Sequence, residues 1–352
     1  MQTGEIKQLL LSCDDKQKTL WAHANKVREK NIGKKAYFRG IIEFSNYCEK
    51  NCNYCGIRSG NTKVHRYTMS ISEIEECLDF IAQVRYGSVV LQSGELTSKK
   101  SKKFLLQIVQ LIHKKYPEFG VTLSCGELDF DILKLLREAG ASRYLLRIET
   151  SDPEFYAQIH PANHSFPYRV ETLKNLKKLG YQVGCGNMVG VPGQTLEHLI
   201  SDLKFFQEMD FDMFGLGPYV IHEDTPLATP ENVKWWHEHK NEIYQRTLNF
   251  IALLRILMPD SNIAAATALD VFSPAGRVDA LRVGANVIMP VVTPQKYRGD
   301  YLLYQGKPCI DEDAMKCSAC IQAKVRNAGL VPTLGVQGNS RHYEKRITNQ
   351  EL

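Results

Sequence analysis

The sequence predicts an α/β fold, a complete (β/α)8 barrel of the TIM type, and three observations favour that class. Eight short β-branched runs alternate with longer helical patterns from Tyr37 onward. The alternation spans about 250 residues, the usual size of such a barrel. An open doubly wound sheet shows the same alternation. Closure is favoured by the strand count and by the polar residues that gather at the run ends: Asn46, Ser93, Glu95, Ser124, Glu127, Arg147, Glu149 and Thr267.

The elements follow in order along the chain. Residues 1–36 are predicted to form an N-terminal helical extension, residues 37–292 the barrel, and residues 293–352 a C-terminal segment. The first barrel helix is the clearest, because Ser70 and Glu73 form a capping box ahead of an apolar face. Further helices begin near Ser98, Asp129, Pro167, Thr195, Asn232 and Gly276. The eight predicted strands are 38–46, 88–94, 120–126, 143–150, 182–190, 213–220, 262–269 and 285–290.

Composition and charge exclude several classes of protein. A chain of 352 residues with 43% hydrophobic residues can bury a large core, which excludes disorder. Its 44 Lys and Arg against 39 Asp and Glu leave a net charge of only +5. No apolar run reaches the ~20 residues that span a bilayer, and no secretory signal is present. We therefore expect a cytoplasmic protein that binds neither nucleic acid nor membrane, whose ten cysteines are metal ligands and core residues.

A cluster of three cysteines follows the first predicted strand. Cys48, Cys52 and Cys55 have C-x3-C-x2-C spacing, so their thiolates can converge on one soft metal centre. An iron–sulfur cubane usually takes four cysteines, and three would leave one iron open to an exogenous ligand. The alternative is a structural zinc site with His65 as fourth ligand, although His65 lies outside the usual zinc spacings.

The fourth predicted strand carries two charges towards the barrel interior. Strand alternation places Arg147 and Glu149 on one face, opposite the apolar residues that pack on helices. Two such charges are costly unless they are paired or bind a ligand. They are therefore either a structural ion pair or contacts of a charged cofactor or substrate.

A second cysteine cluster lies in the C-terminal segment. Cys309, Cys317 and Cys320 have C-x7-C-x2-C spacing, which indicates a second metal site. A C-x2-C pair alone also fits a redox or zinc site, but the βα context of a thioredoxin motif is missing. We therefore favour an auxiliary iron–sulfur cluster, either [2Fe–2S] or [4Fe–4S].

The first cysteine motif, with Tyr54 just before its last cysteine, resembles the signature of the radical S-adenosylmethionine (SAM) superfamily. The resemblance implies a [4Fe–4S] cluster whose open iron chelates SAM, and cleavage of SAM to methionine and a 5′-deoxyadenosyl radical. It also implies that Tyr54 lies against the adenine and that the Gly-rich stretch around Met188 does so through its backbone. By position, the remaining implied cofactor contacts are Gln92, Ser93, Gly94, Glu95, Glu149 and Arg169. The Ser-Gly-Glu triplet alone also fits a turn with a helix N-cap, and the glycines alone fit close packing.

Longer stretches are similar to the HydE family of [FeFe]-hydrogenase maturases within this superfamily. They include IIEFSNYCEKNCNYCGIR, VTLSCGE, RYLLRIET, NMVGVPGQT and the spacing of the tail cysteines, and they run from about Phe38 to Cys320. The resemblance implies a cysteine-bound Fe(CO)2(CN) synthon as a small organometallic substrate. It also implies HydG and HydF as companion maturases and flavodoxin or ferredoxin as electron donor. By position, the implied substrate contacts are Ser124, Arg147, Thr267, Met289 and Tyr304.

The chain departs from this family at one position. Ala266 precedes Thr267 where the family can carry two adjacent threonines, so one hydroxyl is missing from the expected substrate wall. Two alternatives therefore stay open: a paralogue acting on another small amino-acid or sulfur substrate, and an enzyme of the biotin synthase or methylornithine synthase type. An iron–sulfur or zinc scaffold protein is the alternative from a non-enzymatic class, but it has no need for polar motifs at successive strand ends.

Overall fold

Eight parallel strands close into a barrel in the computed structural model, which describes residues 1–312 and 314–350. The strands of that part of the chain are β1 (Lys35–Ser45), β2 (Ser88–Ser93), β3 (Gly120–Ser124), β4 (Ala141–Leu145), β5 (Gln182–Cys185), β6 (Met188–Val189), β7 (Met213–Phe214), β8 (Gly217–Pro218), β9 (Asn262–Ile263), β10 (Val287–Ile288) and β11 (Val331–Thr333). The barrel order is β1-β2-β3-β4-β5-β7-β9-β10. The ring closes because β10 pairs with β1 and a parallel bridge joins Ala264 to Val287. The predicted complete barrel is confirmed, and an open sheet is excluded.

Helices alternate with the barrel strands. They are α1 (Thr3–Leu10), α2 (Asp14–Asn31), α3 (Ile71–Gln83), α4 (Lys99–Lys115), α5 (Phe130–Glu138), α6 (Pro153–Ile159), α7 (Phe166–Lys178), α8 (Leu196–Glu208), α9 (Pro230–Glu238), α10 (Lys240–Leu257), α11 (Gly276–Arg282), α12 (Gln295–Arg298), α13 (Ala314–Asn327) and α14 (Arg341–Gln350), with a 3-10 helix at Thr267–Val271. The predicted capping box begins α3, where the Glu73 carboxylate accepts the Ser70 backbone N–H at 2.8 Å. Ile74, Leu78 and Ile81 of α3 are buried, so the apolar face predicted for this helix packs into the core. None of the described helices is long and apolar enough to cross a membrane.

Several strands end earlier than the sequence predicts. The predicted strand 143–150 stops at Leu145, and Glu149 has a φ of +64°, which a continuing strand does not permit. The predicted strands 182–190 and 213–220 are each interrupted, because Gly186 passes so close to Gly215 that a Cβ would lie 2.2 Å from its carbonyl oxygen. The predicted strand 262–269 gives way to the 3-10 helix at Thr267. These departures turn polar side chains into the mouth of the barrel.

The C-terminal segment covers the opposite end of the barrel, where the strands begin. Strand β11 adds to β1 in parallel, and the chain then passes beneath the barrel. Arg143 donates to the Gln337 carbonyl at 2.8 Å and to the Asn339 side-chain oxygen at 2.6 Å. Arg39 donates to the Gly338 carbonyl at 3.3 Å. Residues 337–340 therefore supply hydrogen-bond acceptors to two buried guanidinium groups and close this end.

Helix α14 is fastened to the barrel by a histidine between two carboxylates. His342 Nε2 lies 2.7 Å from Asp210 Oδ1, and its Nδ1 lies 3.0 Å from Asp260 Oδ1. Both nitrogens can donate only in the imidazolium form. The hydrogen bond to Asp260 outweighs burial and, with the nearby negative charges, raises the pKa of His342 above its usual value.

This arrangement predicts a pH dependence of stability. Since the folded pKa of His342 is raised, its contribution is fully present below the unfolded value of about 6.5 and is lost as the pH rises through the folded value. We expect the loss of unfolding free energy in His342→Gln to be larger at pH 6 than at pH 9, measured by urea denaturation. A loss of equal size at both pH values would show that a protonated His342 between the two carboxylates does not stabilise the fold.

Candidate active site

One cavity at the barrel mouth collects the candidate residues of the first cluster. It has a volume of about 340 Å³ and lies at the ends of the strands where barrel active sites form. Sixteen candidates line it: Cys48, Cys52, Tyr54, Cys55, Gln92, Ser93, Gly94, Glu95, Ser124, Arg147, Glu149, Arg169, Met188, Thr267, Met289 and Tyr304. Residues that are up to 256 positions apart in the sequence, from Cys48 to Tyr304, thus share one space.

The three cysteines of the first cluster are free thiols on the loop after β1. The Glu95 backbone N–H donates to Cys48 Sγ at 3.4 Å, which ties this loop to the end of β2. Burial, together with the nearby Cys48, raises the pKa of Cys52 to about 12. Burial and both neighbouring thiols also raise the pKa of Cys55. Three thiolates are therefore unfavourable here without a positive charge among them, and an iron–sulfur cluster fits this set of donors because it supplies that charge.

The zinc alternative built on His65 is not supported. The His65 side chain is 77% exposed, and its Nδ1 lies 3.0 Å from Asp300 Oδ2. It does not line the cavity that holds the three cysteines.

Two cations and two carboxylates form a buried network beside the cysteine loop. Lys50 Nζ lies 3.2 Å from Glu95 Oε1 and 3.4 Å from Glu127 Oε2. Arg169 Nε lies 3.0 Å from Glu127 Oε1, and its Nη2 lies 3.5 Å from Glu95 Oε2. The Arg169, Glu95 and Glu127 side chains are each 8% exposed or less. Their charges compensate one another, which holds the polar end of the cavity in place.

Arg147 and Glu149 both line the cavity, although the strand whose alternation was expected to place them ends at Leu145. Arg147 Nη2 donates to Glu149 Oε2 at 2.8 Å and to the Asn187 carbonyl at 2.9 Å. Burial raises the pKa of Glu149, against the opposing effects of Arg147 and Arg169. The left-handed backbone of Glu149 is a strained conformation of the kind that clusters at functional sites. The two residues form an ion pair that is also available to a ligand.

Sequence reasoning missed four buried polar residues at this site. His160 Nε2 lies 3.0 Å from the Tyr54 hydroxyl, and His164 Nδ1 lies 3.8 Å from Cys52 Sγ. Two further residues that line the cavity pair with each other, because Lys307 Nζ donates to Glu43 Oε1 at 2.6 Å. The signals were an i, i+4 histidine pair in a loop and a glutamate inside the apolar run of β1.

The tail cysteines lie partly together. Cys309 and Cys317 form a group with Glu312 in which the ligand atoms lie within 4.8 Å of one another. A hydrogen bond from Cys317 lowers the pKa of Cys309 to about 7, with a smaller contribution from Arg277. Cys320 lies one turn further along α13, is exposed, and is outside that group.

Gly94 allows the cysteine loop to lie against β2. A Cβ at this position would be 2.1 Å from the Tyr47 carbonyl oxygen and 2.7 Å from Cys48 Cβ. Overpacking of this kind costs about 1–3 kcal/mol. We therefore expect Gly94→Ala to displace the loop and lower the iron bound after anaerobic reconstitution. Gly299→Ala, which would meet nothing within 4 Å, is the control, and equal iron contents in both variants would contradict the packing argument.

Comparisons with known proteins identify similar chains. The sequence profile of the Radical SAM superfamily matches residues 42–206. The "[FeFe] hydrogenase maturase subunit HydE" of Thermotoga maritima is 42% identical over 97% of this chain and 95% of its own length. The crystal structure of methylornithine synthase (PylB) superposes with a TM-score of 0.78 at 24% identity, over 98% of this chain and 95% of that one. The structure of HydG from Carboxydothermus hydrogenoformans superposes with a TM-score of 0.79 at 19% identity, over 98% of this chain and 78% of that one. At these identities the two structures establish a shared fold.

Proposed function

The chain belongs to the radical SAM superfamily and, within it, to the family of the [FeFe] hydrogenase maturase subunit HydE, and from that premise we propose that the barrel mouth is where it cleaves SAM. The protein is a radical SAM enzyme, and its family uses a [4Fe–4S] cluster and SAM. In our proposal Cys48, Cys52 and Cys55 hold that cluster. One observation carries the assignment: these three free thiols share a single cavity with the other cofactor candidates. When bound, the cluster supplies the electron that splits SAM into methionine and a 5′-deoxyadenosyl radical.

The charged residues around the cysteines suit the charges of SAM. SAM carries an ammonium group, a carboxylate and a sulfonium, so its binding site needs groups of both signs. In our proposal Glu95 and Glu149 face the positive groups, and Arg169 the carboxylate. Ser93 and Gly94 lie at the end of β2 beside the cysteine loop, while Gln92, Tyr54 and Met188 complete the cofactor site.

The part of the cavity around Arg147 suits a small anionic substrate. Arg147 is 35% exposed towards the cavity, and a guanidinium binds carboxylates and similar anions through two parallel hydrogen bonds. In our proposal Ser124, Thr267, Met289 and Tyr304 line the substrate beside it. The name of the Thermotoga relative suggests hydrogenase maturation, and we propose that this chain acts in the same process on an organometallic synthon, with HydG and HydF as companions. A cytoplasmic flavodoxin or ferredoxin is the proposed electron donor.

The test is anaerobic reconstitution of the chain with iron and sulfide, followed by reduction and addition of SAM. We expect 5′-deoxyadenosine and methionine in equal amounts, measured by chromatography. A protein that binds iron but leaves SAM intact would overturn the proposal.

A second substrate class is favoured by one observation. Ala266 lines the cavity next to Thr267, so the wall has a methyl group where a hydroxyl was expected. A paralogue acting on another small amino-acid or sulfur substrate fits this change. An experiment that distinguishes the two proposals is in vitro maturation of an apo-[FeFe]-hydrogenase with HydF and HydG, with and without this protein. Hydrogenase activity that does not depend on this chain would favour the second substrate class.

We propose that the tail cysteines hold an auxiliary iron–sulfur cluster. Cys309 and Cys317 lie together, and Cys320 is on the same helix as Cys317. We expect Cys317→Ala to lose only the iron of this second site, so that iron falls in part while 5′-deoxyadenosine is still formed. Cys13→Ala, at an exposed cysteine near the N-terminus, is the control. An unchanged iron count in Cys317→Ala would remove the second cluster.

A further inference from the structure

The loop between α6 and α7 carries a buried histidine whose protonated nitrogen is fixed by an arginine. A guanidinium nitrogen of Arg169 is in hydrogen-bond contact with His164 Nε2. Glu127 Oε1 also lies 3.3 Å from this nitrogen, but Arg169 Nε compensates that carboxylate oxygen at 3.0 Å. Because a guanidinium can only donate hydrogen bonds, His164 Nε2 accepts from Arg169. A neutral imidazole has one accepting and one donating nitrogen. The proton of His164 therefore resides on Nδ1.

That proton points at a cysteine sulfur. His164 Nδ1 lies 3.8 Å from Cys52 Sγ, within reach of a hydrogen bond to sulfur. Both side chains are buried, which makes such a hydrogen bond stronger than it would be in water. Since the arginine fixes the tautomer, His164 acts towards Cys52 as a donor.

The neighbouring histidine has a different partner. His160 Nδ1 lies 2.9 Å from the Tyr156 carbonyl oxygen, which can only accept, so His160 Nε2 accepts from the Tyr54 hydroxyl at 3.0 Å. The accepting nitrogens of both histidines are thus occupied. A separate metal ion between Cys52, His160 and His164 would have to displace these hydrogen bonds, although the ligand atoms lie within 4.8 Å of one another.

We propose that His164 is a positioning residue that raises the reduction potential of the cluster held by Cys48, Cys52 and Cys55, by donating its Nδ1–H to the Cys52 thiolate. The inference rests on the proposed function, because it requires the cluster at this loop. On reduction the cluster takes up one electron from an external donor, and the added negative charge is spread over the sulfur ligands. A hydrogen bond to a ligand sulfur stabilises the reduced form more than the oxidised form, which is one of the ways a protein sets the potential of a cluster.

Arg169 connects the hydrogen-bond donor His164 to the charged network of the cavity. Arg169 also faces Glu95 and Glu127, so the group that fixes the histidine tautomer belongs to the network at the polar end of the cavity. The orientation of the histidine proton is therefore set by residues that we propose to lie beside SAM.

The test is an anaerobic redox titration of the reconstituted cluster without SAM, followed by electron paramagnetic resonance. In His164→Leu we expect the ratio of reduced to oxidised cluster at a fixed solution potential to fall about tenfold, which is about 59 mV for a one-electron couple. His164→Asn, whose amide N–H can still donate, is expected to stay closer to the wild type. His160→Leu removes an equally buried imidazole that faces Tyr54, and is expected to leave the potential unchanged. Equal potentials in wild type and His164→Leu, or equal shifts in His164→Leu and His160→Leu, would overturn the inference.

A second measurement on the wild type covers the case in which His164→Leu does not retain its cluster. Pulsed electron paramagnetic resonance of the reduced protein labelled with [15N]histidine is expected to show a weak coupling to a histidine nitrogen and, in D2O, to an exchangeable deuteron. Absence of the nitrogen coupling overturns the role of His164. A wild-type protein that binds no cluster contradicts the proposed function instead, so the two failures are distinguishable.

Discussion

Replacing Cys55 with alanine is expected to abolish the formation of 5′-deoxyadenosine from SAM. Cys55 is one of only three thiols that the loop after β1 offers to the cluster that we propose there, and its side chain faces the cavity. In that proposal one iron already lacks a protein ligand, so the loop has no spare cysteine with which to replace a lost one. We expect product to fall to the level of protein without iron, and the absorbance of the reconstituted cluster to fall with it.

A buried cysteine outside the cavity provides the control for this experiment. Cys77 lies on α3, where its Sγ contacts the Val292 carbonyl at 3.6 Å. We expect Cys77→Ala to retain both the cluster and SAM cleavage. Cleavage that survives in Cys55→Ala at the wild-type rate would show that the electron reaches SAM from another centre.

Replacing Arg169 with methionine is expected to lower the free energy of unfolding of the iron-free protein by about 3–5 kcal/mol, the range for a buried ion pair that loses one partner. Arg169 is 8% exposed and faces two carboxylates, Glu127 at 3.0 Å and Glu95 at 3.5 Å. Its removal leaves Lys50 to compensate both of them. The measurement is urea denaturation monitored by circular dichroism.

Two further variants make the reason for this loss testable. Lys7→Met breaks an exposed ion pair with Glu197, in which the side chains are 47% and 64% exposed, and should cost about 0–1 kcal/mol. Adding Glu127→Gln to Arg169→Met removes one of the uncompensated charges and should restore part of the stability. If the double variant is no more stable than Arg169→Met, then lost packing rather than charge explains the effect.

Much of the barrel follows from local sequence signals. The hydrophobic periodicity of the β-branched runs and of the capped helices shows which face of each element is buried. The strand count, the barrel order and the capping box at Ser70 are therefore predictable. The strand ends are less predictable. Where β5 and β7 reach the mouth, the approach of Gly186 to Gly215 decides where each strand breaks, and that approach depends on the neighbouring strand.

The residues of the site also divide into those predictable from local sequence and those set by the tertiary fold. The cysteine motif and the polar strand ends are local in sequence. The three cysteines and six of the eight polar strand-end residues line one cavity, whereas Asn46 and Glu127 do not. The missed residues are connected only in space: His164 is 112 positions from Cys52, and Lys307 is 264 positions from Glu43. A histidine in a loop has no periodic pattern to mark it, and its partner is chosen by the tertiary fold.

The position of β1 bears on how the chain folds as it is synthesised. Strand β1 acquires β2 as a neighbour early, but its other partners, β10 and β11, begin at Val287 and Val331. Domains form as the chain emerges from the ribosome, and contacts of such long sequence separation slow folding. During that interval β1 is an edge strand with an apolar sequence, the kind of edge that pairs with other chains. Chaperone present during synthesis should therefore raise the soluble yield of this protein more than chaperone added after synthesis.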